Sequence, residues 1–460
     1  LTDKESGSKS IAVIGAGISG ISAAYLLATR HHVHLYERES RIGGHTNTVT
    51  LEDGPDAGTP IDTGFIVLND RTYPTFEKLL SLWNVETRDS DMSFSFWCQR
   101  TGLMYNGTDL RGLFVQKRNL IRPSFLGMIR DILRFNREAL AYVLDTPGPH
   151  DDLERSIDPG PSLGNWLGRY HFRRAFVEDY LIPMAAAIWS TAPSMIMEYP
   201  ARAILAFYRN HGLLTVNDRP QWKTVVGGSV SYLRAFERRF RGTVVTNARI
   251  AAVRRSGDKP TLQFEDGSQR SFDAVVIATH ADQALSLLAD PDSLEKGLLS
   301  AWHYNKNDAW LHHDLKLLPP RPAAWASWNY LRESPTNHSG ASSRDKGMPW
   351  LSDPEDLSAH KTVLTYHMNR LQGLTMPRQY CVTLNPGTLP AEKETIRKIA
   401  YEHPLFDAGS VASRARLPEL NGRRNTFFCG AHFGHGFHED GARSGVAVAA
   451  LLGCPLSGSS

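Results

Sequence analysis

The chain reads as an α/β fold in which a parallel sheet is interrupted by a second, α+β unit, and three observations predict it. A short β-branched run, Ile11 to Ile14, leads into Gly15-x-Gly17-x-x-Gly20 and an Ala-rich helical stretch. An acid, Glu37, closes the next apolar run seventeen residues after the last of those glycines. Far along the chain, Ala274-Val275-Val276-Ile277-Ala278 and Thr426 to Cys429 have the near-continuous apolar character of strands buried on both faces.

The first two observations together form a Rossmann-like dinucleotide fingerprint, because the glycines follow a strand, open a helix and are answered by an acid. Gly15 permits the tight turn out of the strand. Gly17 lacks a Cβ, so that backbone N–H groups at the start of the helix, where Ile18 and Ser19 lie, can approach a pyrophosphate. Gly20 lets the helix sit close to the sheet. Glu37 accepts hydrogen bonds from an adenosine ribose, and an acid rather than an arginine there argues against a 2′-phosphate.

The residues after Glu37 point to FAD rather than NAD. Arg38 and then Arg41-Ile42-Gly43-Gly44-His45-Thr46 place a basic residue and a glycine pair in one loop. A flavin dinucleotide, which runs on past its pyrophosphate, needs such a second cradle. Arg41 is read as a phosphate or ribityl contact, and Gly43 and Gly44 as close-approach positions. A type II turn with a solvated arginine is the plainer alternative.

Three separated stretches, 1–64, 223–285 and 420–460, are expected to build the cofactor domain, with insertions 65–222 and 286–419 forming the substrate domain. Val244 to Val253, Thr261 to Phe264 and Phe272 to Thr279 read as strands. At the C-terminal end a flexible loop, Gly430 to Gly436, is expected to follow the strand, and a helix to begin at Glu439 or Asp440 and run through Leu452. The first insertion reads as largely helical. The second has strand-like runs at Ala309 to His312, Val363 to Met368 and Tyr380 to Leu384, and an exposed loop at residues 334–349.

The motifs Ser40 to Thr46, Ile61-Asp62-Thr63-Gly64, Phe428-Cys429-Gly430-Ala431 and Gly441 to Gly445 resemble those of flavin-containing amine oxidases and phytoene-type desaturases. Asp62 to Asn69, Tyr105-Asn106-Gly107-Thr108, Arg219-Pro220-Gln221-Trp222, Val226-Gly227-Gly228-Ser229 and Phe437-His438-Glu439-Asp440-Gly441 are similar to a narrower group of FAD-binding proteins. Members of that group are typically encoded beside cyclopropane-fatty-acid-synthase-like methyltransferases, and some desaturate methylated fatty acyl chains. The resemblance implies a fatty acyl or phospholipid substrate, a methyltransferase partner, and an FAD site that also draws on Thr63, Gly64, Phe65, Gly430 and Ala431. It places Ile250 along the adenine, and the backbone of Glu439, Asp440 and Gly441 at the flavin, where a helix N-terminus stabilises negative charge. Two departures stand out. Ala431 replaces an acid usual after the strand-end glycine, and Asp308 aligns where amine oxidases carry a lysine, with Lys306 two residues away.

The mechanism this implies is oxidation of a C–H bond, with hydride passing to flavin N5 and a proton lost from the neighbouring carbon. The rival readings are a flavin amine oxidase, a redox-neutral FAD-dependent double-bond isomerase, and a non-catalytic flavin-stabilised lipid-binding partner. His435 or His438 is the expected proton-handling residue near the flavin. His432, His435 and His438 are three residues apart, but the glycines between them make no rigid ligand face, and no metal site is expected.

Composition agrees. A net charge of +3 over 460 residues excludes nucleic-acid binding by bulk electrostatics. Cys98, Cys381, Cys429 and Cys454 lack metal-like spacing, and reduced thiols in the cytoplasm are expected. No signal peptide or spanning helix is read, so the sequons at Asn106 and Asn337 carry little weight. Between Phe125 and Leu140, apolar Phe125, Ile129, Ile132, Leu133 and Leu140 share one helical face, and Arg130, Arg134 and Arg137 form a basic stripe. Peripheral contact with anionic lipid is one reading of that pattern, and a helix covering a core with a solvated basic face is the other. Trp166, Trp189, Phe207, Tyr208 and Leu181 to Trp189 are read as either tunnel lining or core.

Overall fold

The computed structural model describes residues 7–144, 160–215, 219–333 and 363–457. Its first strand, β1 (Ser10–Ile14), lies in the middle of a five-stranded sheet ordered Thr243–Val245, β2 (His32–Tyr36), β1, Ala274–Ile277, Thr426–Phe428. All four pairings are parallel. Ile11 to Ile14 and Ala274 to Ile277 are buried throughout, as expected of central strands covered on both faces. The sheet thus recruits strands from three distant stretches of chain, and their C-terminal ends face the start of helix α1 (Ile18–Leu27). Such an edge is where open α/β sheets bind ligands.

Helix α1 is clamped by the closing helix His438–Leu451. A Cβ on Gly445 would lie 2.2 Å from the Ser19 carbonyl oxygen, and one on Gly441 would lie 2.9 Å from Ser19 Oγ. Only glycine permits this approach, so the last helix fixes the position of the first.

The Val244 to Val253 run is not one strand. Asn247 adopts a left-handed conformation (φ 53°) and divides it into Thr243–Val245 of the parallel sheet and Ile250–Arg254 of a separate three-stranded antiparallel ribbon. The strand expected over Phe272 to Thr279 narrows to Ala274–Ile277.

A second sheet, of seven strands, runs Thr395–Pro404, Tyr304–His312, Cys381–Leu384, Val363–His367, Trp328–Arg332, Phe94–Cys98, Met104–Asn106. It joins the two insertions, since Trp328–Arg332 pairs in parallel with Phe94–Cys98. Helices of the first insertion, Pro123–Leu144, Ile182–Trp189 and Ala201–Asn210, pack over it with Phe135 buried among Trp166, Phe172 and Phe176.

The Pro123–Leu144 helix differs from the expected two-faced pattern. Phe125 is buried in the core whereas Leu133 is exposed, so they do not share a face. Arg134 is not part of a solvated stripe: it lies 4.3 Å over the Phe172 ring and donates to the Tyr170 carbonyl at 3.0 Å.

The four cysteines are buried and free. Among the described residues no helix is long and apolar enough to cross a membrane. The loop expected at 334–349, with the Asn337 sequon, lies outside the described residues.

Candidate active site

A cavity of about 1690 Å³ runs from the end of β1 to the helices of the first insertion. That exceeds the range of about 300–1,000 Å³ usual for one small ligand, leaving room for a dinucleotide and a second molecule.

At its nucleotide end the cavity is lined by Gly15, Gly17, Ile18 and Ser19. Gly17 is extended (φ −73°, ψ 178°), and a Cβ built there meets no atom within 4 Å. The backbone therefore borders open space beside the first-turn N–H groups of α1, which have no intrahelical acceptor. Gly20 does not reach the cavity. A Cβ there would lie 1.9 Å from the Gly15 carbonyl oxygen, so its role is helix-to-turn packing. The Glu37 carboxylate accepts from the Ala16 amide at 2.9 Å and the Glu39 amide at 3.0 Å, which holds it at the tip of β2 facing the cavity. Arg38 and Ile250 line the same end.

The second cradle closes on itself. Arg41 donates to the carbonyls of Thr46 and Gly44, both at 3.0 Å, while lining the cavity. Its guanidinium therefore shapes the loop while bordering the cavity. Gly43 (φ 116°) and Gly44 (φ 57°) take backbone conformations that favour glycine. Gly64 and Phe65 line the cavity beside them, and a Cβ on Gly64 would lie 2.0 Å from the His45 carbonyl oxygen. Thr46 and Thr63 sit one layer behind: Thr63 Oγ1 donates to the Asn47 carbonyl and lies 2.8 Å from Tyr401 Oη.

The segment expected to be a flexible loop is tightly held. Ala431–Phe433 forms one 3₁₀ turn, and the Ala431 carbonyl accepts from the amides of Gly434 and Gly436. Asp440 accepts from the amides of His435 and Phe437, each at 3.0 Å. Gly430 and Ala431 line the cavity. The closing helix starts at His438, one residue earlier than the first of the two expected starts. Glu439 and Gly441 turn away from the cavity. Gly441 faces α1, and Glu439 accepts from the amides of Thr75 and Phe76 at 2.9 and 2.8 Å, capping the Pro74–Trp83 helix. Burial raises the Glu439 pKa, and those amides oppose the shift. Glu439→Ala is expected to lower unfolding free energy by about 1–2 kcal/mol in urea titrations, with the flavin spectrum of the holoprotein retained.

The histidines separate by environment. His438 stacks on Phe65 at 3.8 Å, and its Nε2 lies 2.9 Å from Tyr232 Oη and 3.3 Å from Thr46 Oγ1. Burial brings its pKa down to about 3, so it is neutral; it lines the cavity beside Phe65, with Nε2 turned to Tyr232 and Thr46. His435 lines the cavity with Nδ1 3.3 Å from Arg414, which can only donate; its ring proton is therefore on Nε2.

Two lining residues had no motif to announce them. Tyr401 and His403 alternate along Thr395–Pro404, so both face the cavity, and Tyr401 stacks on His45 with ring centroids 5.1 Å apart. Asn307 Oδ1 accepts from Asn385 at 2.6 Å, which turns the Asn307 amide nitrogen toward His403 Nδ1 at 2.8 Å. His403 therefore carries its proton on Nε2, and burial takes its pKa down to about 4. His45 keeps Nε2 without a hydrogen-bond partner, and burial holds its pKa well below the usual value. The Tyr-x-His alternation was the available signal. Asp308, aligned with the amine oxidase lysine, instead pairs with Lys398 at 2.8 Å on the outer surface, while Lys306 reaches the cavity rim.

Among the described residues no cluster of acids, cysteines and histidines could hold a metal ion. An open glycine at a helix N-terminus, an acid at the tip of the second strand, and a second glycine cradle continuous with both fit a flavin dinucleotide.

Comparison with known proteins agrees with this geometry. Residues 18–307 match the family described as flavin containing amine oxidoreductase. An L-amino-acid oxidase from Siganus canaliculatus is 24% identical over 323 residues, 65% of this chain and 56% of its own length. A carotenoid phi-ring synthase from Streptomyces griseus is 29% identical over 175 residues, 36% of this chain and 32% of its own. The chain thus spans about half or less of the curated relatives it matches. Among solved structures, a fatty acid isomerase from P. acnes superposes with a TM-score of 0.63 at 15% identity, covering 96% of this chain and 97% of that one. Cyclohexylamine oxidase from Brevibacterium oxydans gives 0.65 at 15% identity, covering 97% and 98%. The chain belongs to the flavin containing amine oxidoreductase family, with FAD as its cofactor.

Proposed function

We propose that the protein is an FAD-dependent oxidoreductase that desaturates a fatty acyl chain. The observation that carries this reading is the cavity wall contributed by residues 105–222. Ile129, Ile132, Met184, Ile188, Trp189 and Phe207 make it apolar, and among its described residues there is no carboxylate. Its one permanently charged group is Arg219. A protonated amine entering here would leave water without a counter-charge, at a cost of several kcal/mol. A hydrocarbon chain loses nothing, and an anionic headgroup matches Arg219. Elsewhere on the wall Asp91 is paired with Arg370 at 3.1 Å, whereas Glu402 lies 3.7 Å from His280, which burial holds toward its neutral form. The fold itself does not decide the substrate, since an isomerase and an amine oxidase share it; the walls carry the argument.

FAD, when bound, supplies the hydride acceptor. The chain supplies orientation and dryness: side chains of Met184, Ile188 and Phe207 confine an acyl segment so that one C–H bond is presented repeatedly in the same place. His45 supplies the proton acceptor. It is neutral and lines the cavity, and its Nε2, buried beside Tyr401 and His403, has no hydrogen-bond partner. A weak base suffices, because loss of hydride makes the proton on the adjacent carbon strongly acidic. Two electrons and one proton leave with the hydride, the second proton goes to His45, and the carbon pair becomes an alkene.

Incubation with an acyl phospholipid and an external electron acceptor, followed by mass spectrometry, tests the reading. The expected product is two hydrogens lighter than the substrate and forms in proportion to acceptor reduced. A product of unchanged mass, formed without acceptor, would instead identify an isomerase. Peroxide released from an amine, with lipid untouched, would make the protein an amine oxidase.

A further inference from the structure

We propose that the surface formed by Lys117–Ile121 and the N-terminal half of the Pro123–Leu144 helix docks on a bilayer containing anionic phospholipids, a partner that rests on the lipid reading of the cavity. Of the eleven large hydrophobic residues exposed among the described residues, six lie between Leu110 and Leu144. Single exposed leucines need no explanation, but a cluster does. Ile121 is 83% exposed, Leu120 53%, Leu126 43% and Leu133 57%. Leu126 and Leu133 are seven residues apart and so share one face, opposite the buried Met128 and Phe135. This helix is apolar on its outer side as well as its inner one, unlike a helix that merely covers a core.

The charges around the patch complement an anionic surface. Lys117 and Arg130 are exposed and have no ion-pair partner among the described residues, and Arg118 donates to the Gly102 carbonyl at 2.6 Å. The helix has two acids, and neither faces the patch unpaired: Asp131 is buried against Arg173 at 2.8 Å, and Glu138 pairs with Arg137 at 2.7 Å. A second copy of the chain docked on this face would bring like charges together. A bilayer offers the apolar residues an acyl boundary and the basic residues phosphate.

The patch is also continuous with the site. Ile129, Ile132 and Leu133 line the cavity, and Leu133 is exposed on the outer face as well, so the helix forms its mouth. An acyl chain drawn from a docked bilayer would enter beside Leu133 and pass along apolar wall toward His45 without crossing water.

Co-sedimentation of the holoprotein with vesicles tests this. Wild type should pellet with phosphatidylcholine vesicles containing about a third phosphatidylglycerol, and much less with phosphatidylcholine alone or in high salt. Ile121→Asp with Leu126→Asp should cut the bound fraction by about tenfold or more. Lys117→Glu with Arg130→Glu should cut it by about fivefold per residue and erase the preference for anionic lipid. Unchanged flavin absorbance shows that each variant is folded. Wild type left in the supernatant with both vesicle types overturns the proposal, as does sedimentation of the variants equal to wild type, or a wild-type dimer broken by the apolar pair of substitutions. Reaction with detergent-dispersed lipid but no vesicle binding would sink docking alone; vesicle binding with no lipid oxidised in any form would sink the lipid reading alone.

Discussion

Gly17→Leu is expected to yield a folded protein that purifies without colour. The backbone at Gly17 is extended, which any residue adopts, and nothing lies within 4 Å of the new Cβ, so the fold does not resist the change. The leucine side chain would instead enter the open space beside the first-turn amides of α1, where the fingerprint predicts the pyrophosphate. FAD affinity should fall by about a thousandfold, roughly 4 kcal/mol, by equilibrium titration of the apoprotein. The melting temperature of the apoprotein should stay within about 3 °C of wild-type apoprotein. Gly20→Ala is the contrast. Its Cβ would collide with the Gly15 carbonyl, so fold and cofactor should be lost together. A yellow Gly17→Leu protein of normal affinity would mean that the dinucleotide does not lie along this turn.

The second large effect is acid lability. Burial lowers His312 and His367 from 6.5 to about 4 and His432 to about 3. At His312 burial is the largest cause, opposed by Asp314; Nδ1 accepts from the Asp314 amide at 3.1 Å, so Nε2 carries the proton toward Thr383 Oγ1 at 2.7 Å. A second proton would have to sit at Nδ1, against an N–H donor. Because the folded pKa values lie below that of the unfolded chain, this stabilisation is fully present above 6.5 and is lost as pH falls toward 4. Each histidine contributes about 1.4 kcal/mol per pH unit within that window. Asp62 acts oppositely, since burial raises its carboxyl to about 6 and its protonation favours the folded state as pH falls. His403, His438 and His45 are lowered likewise, while Glu178, Asp179 and Glu439 are raised like Asp62, so the lowered histidines outnumber the raised acids and leave a net loss of a few kcal/mol per pH unit. A domain holding 5–15 kcal/mol in total should therefore unfold near pH 5 or a little below. Urea midpoints measured across that range should fall steeply; a flat profile from about pH 7 to pH 5 would show that these histidines are not neutral in the fold.

Legibility in the sequence followed how local each constraint is. The β1 to β2 segment was readable because strand, glycine spacing, helix and acid all lie within one short stretch and obey one geometry. The buried strands at Ala274–Ile277 and Thr426–Phe428 were readable from continuous apolar runs. Where a single residue overrides the pattern, the reading failed. Asn247 in a left-handed conformation splits an otherwise uniform run, and nothing in its neighbours marks it. The start of the closing helix was placed late because His438 resembles a loop residue until its stacking on Phe65 is seen. Phe125 and Leu133 looked alike by periodicity, but one meets core and the other meets solvent, a distinction that depends on Tyr105 and Phe114 packing on Phe125 from outside the helix. Asp308 and Lys306 are two residues apart on one strand and share a face, so only the packed structure separates them: Lys306 lines the cavity and Asp308 pairs with Lys398. His45 was readable as a flavin-loop residue. Its bare Nε2 was not, because the enclosure comes from Tyr401 and His403 on a strand more than three hundred residues away.

Anaerobic mixing of the holoprotein with acyl phospholipid, followed through the visible absorbance of the flavin, addresses the chemistry directly. Bleaching by lipid, saturable and absent with amines, is the predicted result. A flavin that stays yellow with every acyl lipid and bleaches on adding an amine would contradict the account.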